Sequence, residues 1–188
     1  VFPLPMADGG EGTLDAIHSV RPDSTMHFVE VTGPEGTPVQ ATWLELSDST
    51  AVIEMAQSSG LPLMSQLDPI GATSRGLGEL IAAAIDHGVD RILVGLGGSA
   101  TTDAGIGALE ALGAQVVREG EGAPGVVSID PRGLPTPPRE GITVLADTRA
   151  TFTQAPEMFA PQKGATTDQV AELQAAFERL GADSPSSS

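Results

Sequence analysis

The order of apolar and glycine-rich segments in the middle of the chain constrains its fold most strongly. Thr73 or Ser74 can cap a helix that is predicted to run to about His87, because apolar residues recur there at helical spacing. The sequence RILVGL at 91–96 is typical of a short buried strand, and a second helix is predicted over 104–112. A helix, a buried strand, a glycine-rich turn and a second helix in this order predict a parallel α/β sheet.

Strand signals also occur on both sides of the turn GPEG at 33–36. Residues 25–32 and 38–46 are rich in β-branched and aromatic side chains, so they are predicted to form a hairpin. Other elements are expected from their apolar patterns: a helix at 14–20 and strands at 51–55 and 142–146, the last of them buried. The expected fold class is therefore α/β, a mixed or parallel sheet with flanking helices plus a β-rich hairpin region.

The last third of the chain mixes loops with one strong helix signal. Gly and Pro crowd residues 118–141, which predicts a long surface loop. Thr166 and Gln169 are spaced as a capping box for a last helix, whose predicted apolar face is Val170, Leu173, Phe177 and Leu180. Residues 181–188 (GADSPSSS) are predicted to be a disordered tail. At the other end, the apolar run 1–5 has neither an initiator Met nor a signal-peptide layout, and it is expected to begin inside an element.

The charge balance limits the partners of this chain. Its net charge is −16, and no cluster of Lys and Arg could displace counterions from nucleic acid or bind an anionic membrane. No apolar run approaches the ~18 residues that span a bilayer. The chain has no Cys, which suits a reducing cytoplasm. Lys163 is its only lysine, so an anionic ligand would need positive charge concentrated at a few such groups.

The glycine-rich turn that follows RILVGL is a candidate anion site. Its small residues, Gly97, Gly98, Ser99 and Ala100, would let a phosphate or carboxylate approach backbone N–H groups near a helix start. A tight turn that needs glycine only for packing is an equal alternative. The pattern Gly95-x-Gly97-x-x-Ala100, with Glu119 about 20 residues further on, also fits a loose dinucleotide-binding fingerprint. All three interpretations stay open on the sequence alone.

Four further positions carry charges that suit ligand chemistry. Asp8 and Glu11 lie among glycines before a helix, where carboxylates suit Mg²⁺ or a hydroxyl, although such a pattern is more often a solvated acidic turn. Asp147 follows a predicted strand, where α/β enzymes hold carboxylates, although it could be a plain turn residue. Arg75 at a helix start could meet a carboxylate or be an ordinary surface residue.

The histidines His18, His27 and His87 have no matching partners in the sequence and are interpreted as structural.

Lys163 stands in a constrained turn with Gln162 and Gly164. A point charge there could meet a phosphate, and the alternative is a surface lysine.

Six segments in fixed order resemble class-I (bacterial-type) glycerate kinases, in the central portion of their chain. They are ADGGEGT (7–13), VTGPEGTPVQATW (31–43), AVIEMAQSSGL (51–61), TSRGLGELI (73–81), GLGGSATTDAGIGALEALGA (95–114) and PQKGAT (161–166). Family members open with a D-S-F-K-G type motif and continue into a glycine stretch and a G-E-G-R-x-D motif, so the chain is expected to be an incomplete fragment. Thr102 stands where Asn is common, and Thr148 follows Asp147 in place of the frequent Asn-Pro pair.

The resemblance implies a cytoplasmic kinase that phosphorylates D-glycerate with ATP and Mg²⁺, usually at the 2-hydroxyl. The family has two α/β domains, one inserted in the other, with the active site between them. Residues 1–30 would then be a piece of the main domain and residues 31–180 the inserted domain. A non-catalytic dinucleotide- or ligand-binding α/β domain is the alternative function.

Site residues follow from the same motifs. The candidate catalytic residues are Asp8, Asp147 and Lys163, of which Asp8 and Asp147 are also the candidate metal ligands. We expect Lys163 at phosphate and Arg75 at the glycerate carboxylate. The candidate substrate- and phosphate-binding residues are Gly9, Gly10, Glu11, Thr13, Ser74, Arg75, Gly97, Gly98, Ser99, Thr101, Asp103, Gln162 and Gly164.

Overall fold

The structure, a computed structural model, describes residues 6–182. Its strands are β1 (Thr25–Thr32), β2 (Pro38–Glu45), β3 (Thr50–Glu54), β4 (Arg91–Gly95), β5 (Gln115–Arg118), β6 (Val126–Asp130) and β7 (Ile142–Leu145). Its α-helices are α1 (Thr13–Val20), α2 (Ala56–Ser59), α3 (Arg75–His87), α4 (Ile106–Ala111), α5 (Ala155–Phe159) and α6 (Thr167–Ala182). Short 3₁₀ turns occur at Leu61–Leu63, Pro131–Gly133, Phe152–Gln154 and Pro161–Lys163.

The main sheet has five strands in the order β1-β2-β3-β4-β7. The first three strands are antiparallel neighbours, and β4 and β7 continue the sheet parallel to β3. The parallel step from β3 to β4 requires a crossover, which α3 supplies. This confirms the predicted α/β class, with a mixed sheet and a β1–β2 hairpin that continues it. Residues 30 and 31 both lie within β1, and the division into two domains at that point stays a prediction.

Three apolar cores among the described residues hold these layers together, and the smallest of them consists of Leu14, Leu44 and Val52. The largest lies between the sheet and α3, where Trp43, Ile53, Leu80 and Ile92 are almost fully buried. The second lies under α6, where Leu173 and Phe177 pack with Ile106 and Val126, among others. The predicted capping box begins this helix: Thr166 N–H donates to Gln169 Oε1 (2.9 Å), and Gln169 N–H donates to Thr166 Oγ1 (3.3 Å). No helix within residues 6–182 is both long and apolar enough to cross a bilayer.

Three predicted elements differ from the structure. Residues 118–141 are not one long loop, because β6 pairs with β5 as a two-stranded sheet that the surrounding Gly and Pro obscured. The strand at 142–146 is exposed rather than buried, since β7 pairs only with β4 in the described part of the chain and its side chains face outward. Helix α4 begins at Ile106 instead of 104, because Ala104 has a positive φ of 56° that no α-helical residue adopts.

Of the residues covered by the predictions for the two ends of the chain, only 181 and 182 are described by the structure. Gly181 and Ala182 belong to α6, so the predicted disordered tail was wrong for these two residues. Residues 183–188 lie outside the described residues, as does the apolar run at 1–5.

Candidate functional site

The carboxyl ends of β3, β4 and β7 meet at one edge of the sheet. Glu54 pairs with Gly95 in register, and Gly95 pairs with Leu145. In open α/β sheets, ligands bind outside this edge. Most of the predicted site segments lie here, because each of them directly follows one of these strands or packs across their ends.

The segment 8–13 crosses this edge and packs against the glycine-rich turn after β4. Gly97 N–H donates to Gly9 O (3.1 Å), and Leu96 N–H donates to Leu145 O (3.3 Å). A Cβ atom on Gly95 would lie 2.4 Å from Gly9 O, so the two backbones could not approach with any larger residue. The two glycine-rich motifs of the sequence therefore serve each other's packing.

The Glu11 carboxylate covers Gly98 in the same turn. A Cβ on Gly98 would lie 2.4 Å from Glu11 Oε1, and the φ of Gly98 is +71°, a value that favours glycine. On its other side the turn is held by backbone bonds from Ala100 N–H to Ser59 O (2.8 Å) and from Leu61 N–H to Gly98 O (2.9 Å). Neighbouring parts of the chain thus fill much of the space beside the small residues of the turn after β4. This close packing favours the packing interpretation for Gly95 and Gly98.

Asp103 joins the starts of α3 and α4. Its Oδ2 accepts from Ser74 N–H (2.8 Å), Ser74 Oγ–H (2.7 Å) and Gly107 N–H (3.1 Å), while its Oδ1 accepts from Gly105 N–H (3.1 Å). The Ser74 hydroxyl in turn accepts from Ala108 N–H (3.1 Å). Ser74 precedes α3 as predicted, but its side chain bonds to Asp103 and does not cap its own helix. The N–H groups of Gly105 and Gly107 at the start of α4 are therefore engaged by the buried Asp103 carboxylate.

The Lys163 side chain reaches the turn 97–103 from the 3₁₀ segment Pro161–Lys163. The residue is only 5% exposed, and its Nζ donates to Ser99 Oγ (3.0 Å) and to Thr101 O (2.5 Å). Burial lowers the pKa of the ammonium from 10.5 to about 8, and the negative charge of Asp103 acts in the opposite direction. The structure thus brings the only lysine, Ser99 and Thr101 together, whereas Gln162 and Gly164 are exposed.

Asp8 and Asp147 line one open cleft of about 540 Å³. Both are exposed, and Asp8 Oδ1 accepts from Gly10 N–H (3.0 Å). Thr13 shapes the loop that follows Asp8, because its Oγ accepts from Gly9 N–H (3.1 Å) and donates to Gly10 O (2.8 Å). Two carboxylates in one solvated cleft are a donor set that fits Mg²⁺, which prefers oxygen ligands and keeps several waters.

Arg75 lies at the first turn of α3 with an exposed side chain. Its Nε donates to Glu79 Oε1 (3.0 Å), one turn along the same helix. Glu79 also accepts from Thr32 N–H (2.6 Å) and Thr32 Oγ–H (2.9 Å). The contact of Arg75 recorded in the structure is therefore an exposed intrahelical ion pair, and its role toward a substrate carboxylate stays a prediction.

Glu54 is a site residue that the sequence reasoning missed. It ends β3, is completely buried, and accepts from Leu14 N–H on Oε1 (2.5 Å) and from Gln57 Nε2–H on Oε2 (3.0 Å). Since Gly12 precedes α1 without a side-chain cap, Glu54 satisfies the start of that helix from 40 residues away in sequence. The available signal was a single carboxylate at the end of an otherwise apolar strand, inside the motif AVIEMAQSSGL.

The family model described as "Glycerate kinase family" matches residues 1–184 of the chain. The chain belongs to the glycerate kinase family. It is 42% identical over 182 residues to the glycerate kinase of Bacillus subtilis (strain 168), covering 89% of this chain and 47% of that relative. It is 40% identical over 185 residues to a glycerate 2-kinase of Escherichia coli (strain K12), covering 90% and 48%.

A solved structure shows the same fold. A crystal structure of a glycerate kinase 2 from Salmonella typhimurium LT2 superposes with a TM-score of 0.84 at 40% identity, over 94% of this chain and 51% of that one. The chain spans about half the length of the curated relatives that it matches.

The geometry gives no support to the dinucleotide-binding alternative. In that motif the helix opens within the glycine turn and holds the pyrophosphate at its N-terminus. Here α4 begins six residues after Ala100, and Asp103 engages the N–H groups at its start.

Proposed function

We propose that this chain provides part of a site for ATP-dependent phosphorylation of D-glycerate, with 2-phosphoglycerate as product. The observation that carries the proposal is the contact of the Lys163 ammonium with the turn 97–103, at the sheet edge where Asp8 and Asp147 share a cleft. Support for glycerate as substrate comes from family membership, and support for the 2-hydroxyl comes from the glycerate 2-kinase of E. coli.

The charges of the site suit phosphoryl transfer. Catalysis of this reaction consists mainly of positioning the reactants and neutralising charge on the transferred group. An ammonium has three donors, and the contacts to Ser99 and Thr101 use two of them. We assign the third donor of Lys163 to a phosphate oxygen of the nucleotide. Because the site lies in a chain of net charge −16, this buried cation supplies local positive charge for a phosphate.

The two cleft carboxylates have the complementary roles. We propose that Asp8 and Asp147 hold Mg²⁺, which when bound would neutralise negative charge on the phosphates. One of the two carboxylates also orients the substrate hydroxyl for attack. Arg75 pairs with the glycerate carboxylate in exchange for its exposed contact with Glu79.

Other residues of the site act by positioning. Asp103 and Ser74 hold α3, α4 and the turn in place, and Glu54 fixes the start of α1 next to the segment 8–13. Gly9, Gly10, Glu11, Gly97 and Gly98 shape the loop and the turn beside the proposed phosphate position. We further propose that residues 1–30 belong to the main domain and 31–180 to the inserted domain of a cytoplasmic two-domain enzyme.

The test is a coupled assay of ADP formation on the protein in its natural full length. We expect ADP formation to require both D-glycerate and Mg²⁺, and ³¹P and ¹H spectra of the product to place the phosphate on the 2-hydroxyl. A thermal-shift panel with ATP–Mg²⁺, NAD⁺ and D-glycerate tests the dinucleotide-binding alternative, since a ligand that binds the folded state raises the melting temperature. ADP formation that D-glycerate does not stimulate, together with stabilisation by NAD⁺ but not by ATP–Mg²⁺, would overturn the proposal.

A further inference from the structure

Two histidines and a glutamate converge at the edge of the sheet opposite the candidate site. His27 Nε2 lies 2.8 Å from Glu45 Oε2, and His87 Nε2 lies 3.2 Å from the same oxygen. The three side chains can offer one ligand atom each, all within 4.8 Å of one another. The sequence interpretation of these histidines as residues without partners was therefore wrong for His27 and His87, which the fold brings together.

The three residues come from three different elements. His27 is in β1 and Glu45 ends β2, and both point to the face that α3 covers because Thr25 pairs with Glu45 and His27 pairs with Trp43. His87 is the last residue of α3. Helix α3 has 13 residues and starts at the candidate site, so its far end lies roughly 20 Å away from that site. The cluster is therefore separate from the proposed kinase chemistry.

Packing fixes the orientation of both imidazole rings. The His27 ring stacks on Trp43 with centroids 4.0 Å apart and an interplanar angle of 9°. The His87 ring meets both neighbours edge-on, 4.7 Å from His27 and 5.5 Å from Trp43. Trp43 is itself buried, so the rings rest on a rigid part of the core. Ligands held in this way lose little side-chain entropy when an ion binds.

We propose that His27, Glu45 and His87 form a binding site for a divalent transition-metal ion of the Zn²⁺ type. Zinc takes imidazole nitrogen at about 2.0–2.1 Å and carboxylate oxygen at similar distance, so tetrahedral ligand atoms lie about 3.3 Å apart. The two measured separations from Glu45 Oε2 are 2.8 and 3.2 Å, close to that value. A fourth position is open to water, since the side chains of His27, Glu45 and His87 are 24%, 27% and 45% exposed.

The electrostatic surroundings favour a cation at this position. The chain carries a net charge of −16, and the C-terminus of α3 places partial negative charge next to His87. An ion bound here would tie the end of α3 to the β1–β2 hairpin. Its role is structural, because it lies at the opposite end of the strands from Asp8, Asp147 and Lys163.

The test measures Zn²⁺ binding to the natural full-length protein, purified without a polyhistidine tag. Titration calorimetry is done near neutral pH with excess Mg²⁺, which occupies sites built only from oxygen ligands. His87→Gln and Glu45→Gln are expected to weaken one binding event by at least about 10- to 100-fold, the loss that even outer partners of a metal cause when removed. His18→Gln is the matched control, since His18 bonds to Ser24 (2.8 Å) outside the cluster.

A second readout reports the coordination itself. Co²⁺ is expected to give the visible absorption of a four-coordinate site in the wild-type protein and in His18→Gln, and to lose it in His87→Gln. Zn²⁺ should also raise the melting temperature of the wild type more than that of His87→Gln. If wild type, His87→Gln and Glu45→Gln bind Zn²⁺ alike, or if His18→Gln loses as much affinity as His87→Gln, the three residues are a hydrogen-bonded cluster and the proposal is wrong.

Discussion

Lys163 Nζ lies 3.0 Å from the hydroxyl oxygen of Ser99, although the two residues are 64 positions apart in sequence. Their contact connects the PQKGAT motif to the turn after β4. The Lys163 ammonium also donates to Thr101 O (2.5 Å), so one buried cation bonds to both Ser99 and Thr101. A lysine in this position can both hold the turn and meet a phosphate.

Lys163→Ala is expected to lower kcat/KM for glycerate phosphorylation by roughly 30- to 1,000-fold in the natural full-length protein. This is the rate equivalent of losing about 2 to 4 kcal/mol of transition-state stabilisation from one electrostatic donor. Lys163→Arg should recover only part of the loss, because a planar guanidinium does not replace a compact ammonium. Steady-state kinetics on both variants, with circular dichroism to confirm folding, provides the measurement. Wild-type kcat/KM in a folded Lys163→Ala protein would contradict the phosphate role.

The lowered pKa of Lys163 predicts opposite pH trends for activity and stability. Because phosphate binding needs the ammonium, kcat/KM should fall as pH rises through about 8, the folded-state pKa. In the unfolded chain the lysine has its ordinary pKa of 10.5, so between pH 8 and 10.5 the unfolded state binds more protons. The free energy of unfolding should therefore rise with pH across this interval.

The composition of the chain makes the rise of the free energy of unfolding with pH measurable. The chain contains no Cys and no Tyr, and Lys163 is its only lysine, so no other side-chain type with an ordinary pKa between 8 and 10.5 is present in it. Urea denaturation at pH 8 and pH 10 should show a smaller rise for Lys163→Met than for wild type. An equal rise in both proteins would show that the lysine is not responsible.

Asp103→Asn is expected to destabilise the fold by about 2 to 4 kcal/mol. The buried carboxylate accepts four hydrogen bonds from residues at the starts of α3 and α4, and an amide nitrogen placed on either side would face donors. Urea denaturation gives the change. Asp68→Asn is the control, since the exposed Asp68 also accepts backbone bonds, from Ile70 (3.2 Å) and Gly71 (2.8 Å), and should cost less than about 1 kcal/mol. Equal losses in the two variants would contradict the buried role of Asp103.

Local signals were enough to predict much of the sheet. Strand β1 was predicted with its observed ends, because eight residues with β-branched and aromatic side chains precede a GPEG turn. The α3–β4 pair was predicted from helical spacing and a short apolar strand. β5 and β6 were missed because four- and five-residue strands among Gly and Pro have too little periodicity to stand out. The exposure of β7 depends on what packs against it, which is a tertiary property that no local pattern contains.

The site was predictable as segments but not as contacts. The motifs identified Lys163, Ser99 and Thr101 separately, and only the fold shows that the lysine reaches the other two. The sequence assigned Asp103 to ligand binding, which stays a prediction, and did not reveal the hydrogen bonds that connect Asp103 to the starts of α3 and α4. Glu54 and the pair His27 and His87 were missed for the same reason, since the contacts Glu54–Leu14, His27–Glu45 and His27–His87 join residues 18 to 60 positions apart. Long-range polar pairing leaves no spacing pattern that a single sequence reveals.

Arg75→Ala is expected to raise the KM for glycerate and to leave kcat nearly unchanged. A guanidinium–carboxylate contact that is equal in the ground and transition states contributes uniform binding. Arg91→Ala is a matched control, because Arg91 is similarly exposed (45% against 48%) and pairs with Glu140 at the other end of the parallel strands. Kinetics with varied glycerate gives both constants. A fall in kcat at constant KM would mean that Arg75 acts on the transferred group instead.

Asp8→Asn and Asp147→Asn are each expected to raise the free Mg²⁺ concentration for half-maximal activity by roughly tenfold or more. Even outer partners of a metal change its affinity on that scale when they are removed, and a direct carboxylate ligand contributes charge as well. Kinetics are measured at saturating ATP–Mg²⁺ with the free Mg²⁺ varied. Asp15→Asn is the control, since Asp15 is an exposed carboxylate of α1 that does not line the cleft.

The double variant Asp8→Asn/Asp147→Asn decides whether the two carboxylates share one ion. Residues with a common partner show non-additive free energies, whereas independent sites add. If one Mg²⁺ is held between them, the loss of the first ligand already releases most of the affinity, and the second substitution should add much less than its effect alone. Full additivity would place the two carboxylates on different ions. An unchanged Mg²⁺ requirement in both single variants would remove the metal from this cleft and leave Asp8 and Asp147 with the substrate hydroxyl alone.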